Sequence, residues 1–158
     1  MTIVYHRGKR LIVEWQAKSF DELSREEFFD IAYERIRTFV IAQHRPYQEI
    51  DATDKVARHI LGYQAGQLVA YARVFREAGH VTFGRVLTIP EQRGTGLGRQ
   101  LMVQIEAEIR RNFAGEAISI EAQVDKQHFY EKFGYAAIGA VFDFNGTPHI
   151  RMDKAGLR

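Results

Sequence analysis

The sequence predicts a single α/β domain of the α+β kind, built on a mixed, mostly antiparallel sheet, and three observations carry that prediction. Three strand-like runs, 59–64, 68–75 and 81–89, follow one another across the short turns Ala65-Gly66-Gln67 and Glu77-Ala78-Gly79, the pattern of an antiparallel meander. Two other stretches repeat their apolar residues at helical spacing and so place helices before and after the meander. Asn145-Gly146, between the runs 136–144 and 147–152, is a strong two-residue hairpin signal, because a type I′ turn needs positive φ at both positions.

The elements follow in order. Residues 11–15, Leu-Ile-Val-Glu-Trp, read as a first strand. Ser24 and Glu27 form a capping-box signature ahead of Phe28, Ile31, Ala32, Ile36 and Phe39, so a first helix is expected over 25–41. The segment 43–58 contains His44, Pro46, Tyr47, Asp51 and Asp54 and is too long for a minimal connection, which marks it as a loop that shapes a site. Pro90 ends the third strand of the meander. Leu97, Leu101, Ile105 and Ile109 recur every four residues and define the buried stripe of a second helix, to about residue 112. Residues 117–123 are again β-like. Asp125 is placed to cap a short helix carrying Phe129 and Phe133, which Gly134 stops in a left-handed conformation. The resulting order, β-α-β-β-β-α-β-α-β-β, is not that of a doubly wound parallel sheet.

Composition bounds the function. With 158 residues, 46% hydrophobic and 27% charged, the chain suits one domain spanning 1–158 with its own core, and no repeat or low-complexity linker divides it. The 22 Lys and Arg against 20 Asp and Glu give a formal charge of +2, which makes no case for broad capture of nucleic acid or membrane. The absence of cysteine excludes disulfides, thiolate metal sites and a cysteine nucleophile. Charged residues interrupt the first fifteen positions, and no stretch is long and apolar enough to span a bilayer, so a cytoplasmic location is expected. The spacings of the six histidines suggest no metal site.

The chemistry is concentrated between Ile89 and the second helix, in Pro90-Glu91-Gln92-Arg93-Gly94-Thr95-Gly96-Leu97-Gly98-Arg99. Three glycines in five residues let backbone N–H groups approach an anion, and the first turn of the helix adds partial positive charge. A phosphate or pyrophosphate fits that geometry, although a glycine-rich turn by itself also suits a loop without a ligand. The dinucleotide pattern would need glycine where Arg99 stands, and a Walker loop would need Gly-Lys-Ser/Thr. What remains is Arg93-x-x-Gly96-x-Gly98.

A strand, this R-x-x-G-x-G turn, an amphipathic helix, another strand and then Phe129-Tyr130-Glu131-Lys132-Phe133-Gly134-Tyr135 together resemble the GNAT superfamily of N-acetyltransferases over nearly the whole chain. Arg35, Phe39, Gln43, Pro46-Tyr47-Gln48-Glu49-Ile50-Asp51, His59-Ile60-Leu61-Gly62, Ala70-Tyr71-Ala72-Arg73, Gly84-Arg85-Val86 and Pro148-His149-Ile150 are similar to its ElaA-like branch. Ala42 departs from that branch, which tends to place Glu before the glutamine.

The resemblance implies helices on both faces of a sheet splayed between its fourth and fifth predicted strands, 81–89 and 117–123. It implies acetyl-CoA as co-substrate, with the pantetheine arm along Leu87, Thr88 and Ile89. The pyrophosphate would lie on Arg93, Gly94, Thr95, Gly96, Leu97, Gly98 and Arg99, with Gln123 and Phe129 completing the coenzyme site. Tyr130 is the implied general acid for the departing thiolate. Direct attack by a primary amine, from a small molecule or a peptide, follows. Some members carry a glutamate on the strand before the phosphate loop, but 81–89 contains no carboxylate. Glu121 is therefore the candidate base, with His59, His149 or a relayed water as alternatives. The missing carboxylate is also what an acyl-CoA-binding module without catalysis would show.

Arg73 and Arg85 sit inside apolar strands, so each needs a carboxylate such as Glu121, or faces the cleft. Tyr47, Glu49 and Asp51 could meet the acceptor amine or simply face water. The apolar C-terminal hairpin offers a surface for a homodimer.

Overall fold

The computed structural model describes residues 2–6 and 9–158. Its strands are β1 (Thr2–His6), β2 (Lys9–Ser19), β3 (Arg58–Gln64), β4 (Gln67–Glu77), β5 (His80–Thr88), β6 (Ile118–Gln123), β7 (Ala136–Phe144) and β8 (Thr147–Lys154). The helices are α1 (Arg25–Arg35), which runs on as a π-helical turn over Ile36–Ile41, α2 (Leu97–Asn112) and α3 (Gln127–Glu131). One eight-stranded sheet has the order β1-β2-β3-β4-β5-β6-β8-β7. Every neighbouring pair is antiparallel except β5 and β6, which run parallel and are joined in register only at Val81 and Ile118.

The expected meander and the C-terminal hairpin are present, and Asn145 and Gly146 take φ of 50° and 80°, as a type I′ turn requires. Ala65 and Ala78 hold positive φ at the other two tight turns, where alanine is less favourable. The capping box of α1 forms as expected, with the Glu27 N–H donating to Ser24 Oγ at 3.0 Å and the Ser24 N–H donating to Glu27 Oε2 at 2.9 Å.

Three local expectations are corrected. The first strand is longer than 11–15 and pairs with β1, a strand that no clear apolar alternation announces. The first helix is α-helical only to Arg35; the wider π turn then rotates the buried stripe, leaving Ile36 39% exposed while Arg35 and Phe39 point inward. Asp125 does not cap α3: it lies within a 3₁₀ turn, Val124–Lys126, and Lys126 holds the capping position without a side-chain bond.

The core has two layers. On one side Leu97, Leu101, Ile105 and Ile109 of α2 pack on Val69, Val74, Phe83 and Ile120. Each such burial stabilises the fold by roughly 1.5–3 kcal/mol. On the other side Ile31 and Phe39 pack on Leu61, Tyr71 and Leu87. Phe83 and Leu87 are four residues apart on β5, so simple alternation would put them on one face, yet they belong to opposite layers. A β-bulge causes the inversion. Tyr71 pairs with Leu87 but Arg73 pairs with Gly84, so β5 has one residue too many, and Arg85 absorbs it with φ of 52°. The bulge and the single contact with β6 leave the sheet splayed between the two strands predicted for it.

Candidate active site

Beyond Val81 no strand covers the β6-facing edge of β5 among the described residues. The gap opens into a cavity of about 720 Å³. Leu87, Thr88, Arg93, Glu121, Gln123 and Tyr130, all singled out in the sequence, contribute to its wall. A second hollow of about 740 Å³ lies between β2, β3 and α1, where Glu26, Glu27 and Asp30 face Tyr63. It contains neither the glycine turn nor Tyr130.

The chain leaves β5 through buried Ile89, whose N–H donates to the Val69 carbonyl at 3.0 Å, and a 3₁₀ turn over Pro90–Gln92. Gly94 and Gly96 then take φ of 76° and 82°, and Gly96 stands at the N-cap of α2 with no side chain to cap it. The Thr95 hydroxyl turns back to the Gln92 carbonyl at 2.7 Å. The first-turn N–H groups of α2 have no intrahelical acceptor, and no backbone acceptor meets the N–H groups of Gly94, Thr95 and Gly96 among the described residues. Leu97 anchors the turn in the core, whereas Arg93 and Arg99 are exposed. A Cβ on Gly98 would meet the Phe129 ring at 3.7 Å, so Phe129 lies against the start of this helix. The turn thus has what a pyrophosphate needs: open backbone donors, a positive helix end and flanking arginines.

Tyr130 is 8% exposed and its ring packs against Phe129, Phe83 and Tyr135, with centroids 5.2, 6.0 and 6.2 Å away. Burial pushes its phenol above the ordinary value, so it stays protonated and has a proton to donate. Its carbonyl accepts from the N–H groups of Phe133 at 2.9 Å and Tyr135 at 3.3 Å, which fixes the end of α3.

The candidate bases divide clearly. His59 is fully buried, with Nε2 2.8 Å from the Asp54 carbonyl and Nδ1 2.7 Å from the Tyr71 hydroxyl. A carbonyl only accepts, so Nε2 carries the proton and Nδ1 is occupied; burial also lowers its pKa. It ties the core together and does not reach the cavity wall. His149 shows the opposite arrangement. Its Nδ1 lies 2.8 Å from the Thr147 carbonyl, which places a proton there, so that in the neutral ring Nε2 is an acceptor, and the residue lines the cavity. His149 pairs in register with Gln123, and Arg151 pairs with Glu121, so Glu121, Gln123 and His149 share one face. Glu121 is exposed on that face. Gln123 Nε2 donates to Gln43 Oε1 at 2.9 Å, a bridge to the chain that follows α1.

Of the two readings of Tyr47, Glu49 and Asp51, exposure to water does not hold for Glu49, which joins a network of ion pairs made by the loop 43–58. Glu49 and Asp54 are only 3% and 2% exposed. Arg35 donates from Nε to Glu49 Oε1 at 2.8 Å and from Nη1 to Asp54 Oδ1 at 2.6 Å. Arg73 donates from Nη1 to Asp51 Oδ1 at 2.6 Å and to Asp54 Oδ1 at 2.9 Å, and Arg85 donates from Nε to Glu49 Oε1 at 2.8 Å. Both strand arginines are paired, as burial demands, with loop acids and not with Glu121.

Burial opposes the charges of Asp51 and Asp54, but hydrogen bonds from Arg73 and Arg35 respectively outweigh it and hold both below the ordinary carboxylate value. The Tyr47 hydroxyl donates to Glu49 Oε2, and burial together with that bond pushes its pKa up to about 12. This network, and Arg45 beside it, were not read from the sequence. The available signal was the presence of Arg35, Arg73 and Arg85 in otherwise apolar elements with three acids in one loop.

The comparisons with known proteins agree with this geometry. Residues 23–155 match the family described as acetyltransferase (GNAT) domain. The chain is 34% identical over 148 residues to Protein ElaA of Escherichia coli (strain K12), covering 90% of this chain and 97% of ElaA. The crystal structure of Escherichia coli ElaA superposes with a TM-score of 0.86 at 34% identity, covering 90% of this chain and 99% of that one. An acyl-CoA N-acyltransferase from Pseudomonas aeruginosa superposes with a TM-score of 0.87 at 32% identity, covering 91% of this chain and all of that one. With most of the chain inside the family's domain and the splayed cleft of the fold in place, this protein belongs to the GNAT acetyltransferase family.

Proposed function

We propose that the protein transfers an acetyl group from acetyl-CoA to a primary amine by direct attack within a ternary complex. The observation that carries this reading is one cleft whose wall runs from Arg93, at the foot of the glycine turn, along Val86, Leu87 and Thr88 on the uncovered edge of β5 to Tyr130. The N–H groups of residues 93–99 hold the pyrophosphate, with Phe129 beside them and Arg93 adding charge. The backbone at Leu87, Thr88 and Ile89 pairs with the pantetheine amides as an added strand would, and Gln123 closes the opposite wall.

Acetyl-CoA supplies an activated acyl carbon with a thiolate leaving group. As the amine nitrogen bonds to that carbon and the C–S bond breaks, Tyr130 gives its proton to the sulfur. The amine's surplus proton leaves on the opposite face, where Nε2 of His149 is an acceptor by its tautomer and Glu121 offers a second one. His149 is the better placed, being held by the Thr147 carbonyl and the rings of Phe142 and Phe144.

The test is thiol release from acetyl-CoA in the presence of a panel of small and peptide amines. Release that depends on the amine supports the reading. Tight coenzyme binding with no release for any amine would leave an acyl-CoA-binding module, the alternative that the carboxylate-free β5 favours.

A further inference from the structure

We propose that the acceptor is an amine that also carries a carboxylate, and that Arg45 binds this carboxylate; the inference rests on the acyltransferase reading above. Arg45 lies in the cavity wall and is 5% exposed. Its guanidinium donates from Nε to the Asn145 carbonyl at 3.2 Å, from Nη1 to Gln43 Oε1 at 3.1 Å and from Nη2 to the Phe144 carbonyl at 3.0 Å. It also lies over the rings of Tyr47 and Phe144, 4.9 and 5.6 Å from their centroids.

None of these partners is anionic, and among the described residues no carboxylate forms an ion pair with Arg45. The neighbouring cations differ. Arg35, Arg73 and Arg85 meet Glu49, Asp51 and Asp54, three charges against three. Arg45 is therefore the buried cation of this wall that no carboxylate pairs with among the described residues. Burying a cation without a counter-charge is unfavourable, and a ligand that brings the missing charge relieves the penalty.

The stereochemistry narrows the ligand. A guanidinium has five N–H groups, and three are in use, which leaves one on each terminal nitrogen. Two donors in one plane match the two oxygens of a carboxylate, the fork-to-fork geometry that a guanidinium makes with that group. The placement fits the chemistry as well. Phe144, whose carbonyl and ring both contact Arg45, also packs on His149 with centroids 5.3 Å apart. A carboxylate at Arg45 thus anchors an acceptor along the face from which the proton is taken.

The test uses matched acceptors, free amino acids and short peptides each paired with its carboxamide, and follows thiol release from acetyl-CoA. For productive pairs the wild type should favour the acid in kcat/KM by about tenfold or more, the scale of a charge-assisted pair. Arg45→Gln should bring the ratio towards one, and Arg45→Lys, which keeps the charge but not the fork, should fall between. If Arg45 only ties the loop to the hairpin, both members of each pair will slow together and the ratio will survive, which overturns the proposal. Equal wild-type rates for acid and amide overturn it whether or not the variants fold. Absence of turnover for every pair overturns the acyltransferase reading itself, and this inference with it.

Discussion

The two walls of the cleft are built by opposite means. The coenzyme wall is main chain: two left-handed glycines, a bare N-cap and the open edge of β5, with side chains such as Leu87, Ile89 and Leu97 turned away into the core. The proposed acceptor wall is made of side chains, the buried Arg35 and Arg73 and the half-buried Arg85 against three carboxylates from a loop that has no regular structure beyond one 3₁₀ turn. A backbone site tolerates most substitutions except those that fill or strain its glycines, whereas a buried charge network fails when any one member is removed.

The largest effect should follow from breaking the network. Asp54→Ala leaves Arg35 and Arg73 short of a shared counter-charge and should destabilise the protein by roughly 3–5 kcal/mol in urea unfolding. A loss below about 1 kcal/mol, the scale of an exposed pair, would show that the network is not a buried one in solution. The same network predicts an acid limb. Asp51 and Asp54 have native pKa values below their ordinary 3.8, so their contribution is complete above that value and is lost as pH falls through the lowered native values. Asp54→Asn should flatten that part of the stability profile.

Next in size is the acid. Tyr130→Phe keeps the ring against Phe83, Phe129 and Tyr135 and removes only the hydroxyl, so kcat should fall by about a hundredfold or more while acetyl-CoA affinity is nearly unchanged. Equal turnover for both proteins would remove the acid role. The smallest effect belongs to the backbone wall. Gly96→Ala meets open space but must hold a φ of 82°, so it should cost about 1–2 kcal/mol of stability and weaken coenzyme A binding while the fold persists. Unchanged affinity by calorimetry would detach the glycine turn from the coenzyme.

The contrast between the walls also explains what the sequence made legible. The R-x-x-G-x-G turn, the Leu97 to Ile109 stripe and Asn145-Gly146 are local, since each states its geometry within a few residues. The network is not: Arg35 reaches Glu49 and Asp54 across 14 and 19 positions, and Arg85 reaches Glu49 across 36. No periodicity records such pairs. The π turn after Arg35 and the bulge at Arg85 were hidden for a related reason, because each breaks the period from which the element is read. Tyr130 was legible as a motif residue, but its burial beside Phe83 depends on how β5 passes α3 and came only with the fold.

The central claim is that one ligand lies along β5 and on the start of α2. Amide hydrogen exchange with and without acetyl-CoA tests it most directly. Slowed exchange is expected at Leu87 to Ile89, where the ligand covers the free edge of β5, and at Gly94 to Gly98, where it meets the open N–H groups of the glycine turn. Protection confined to residues 43–58, with these two stretches unchanged, would contradict it.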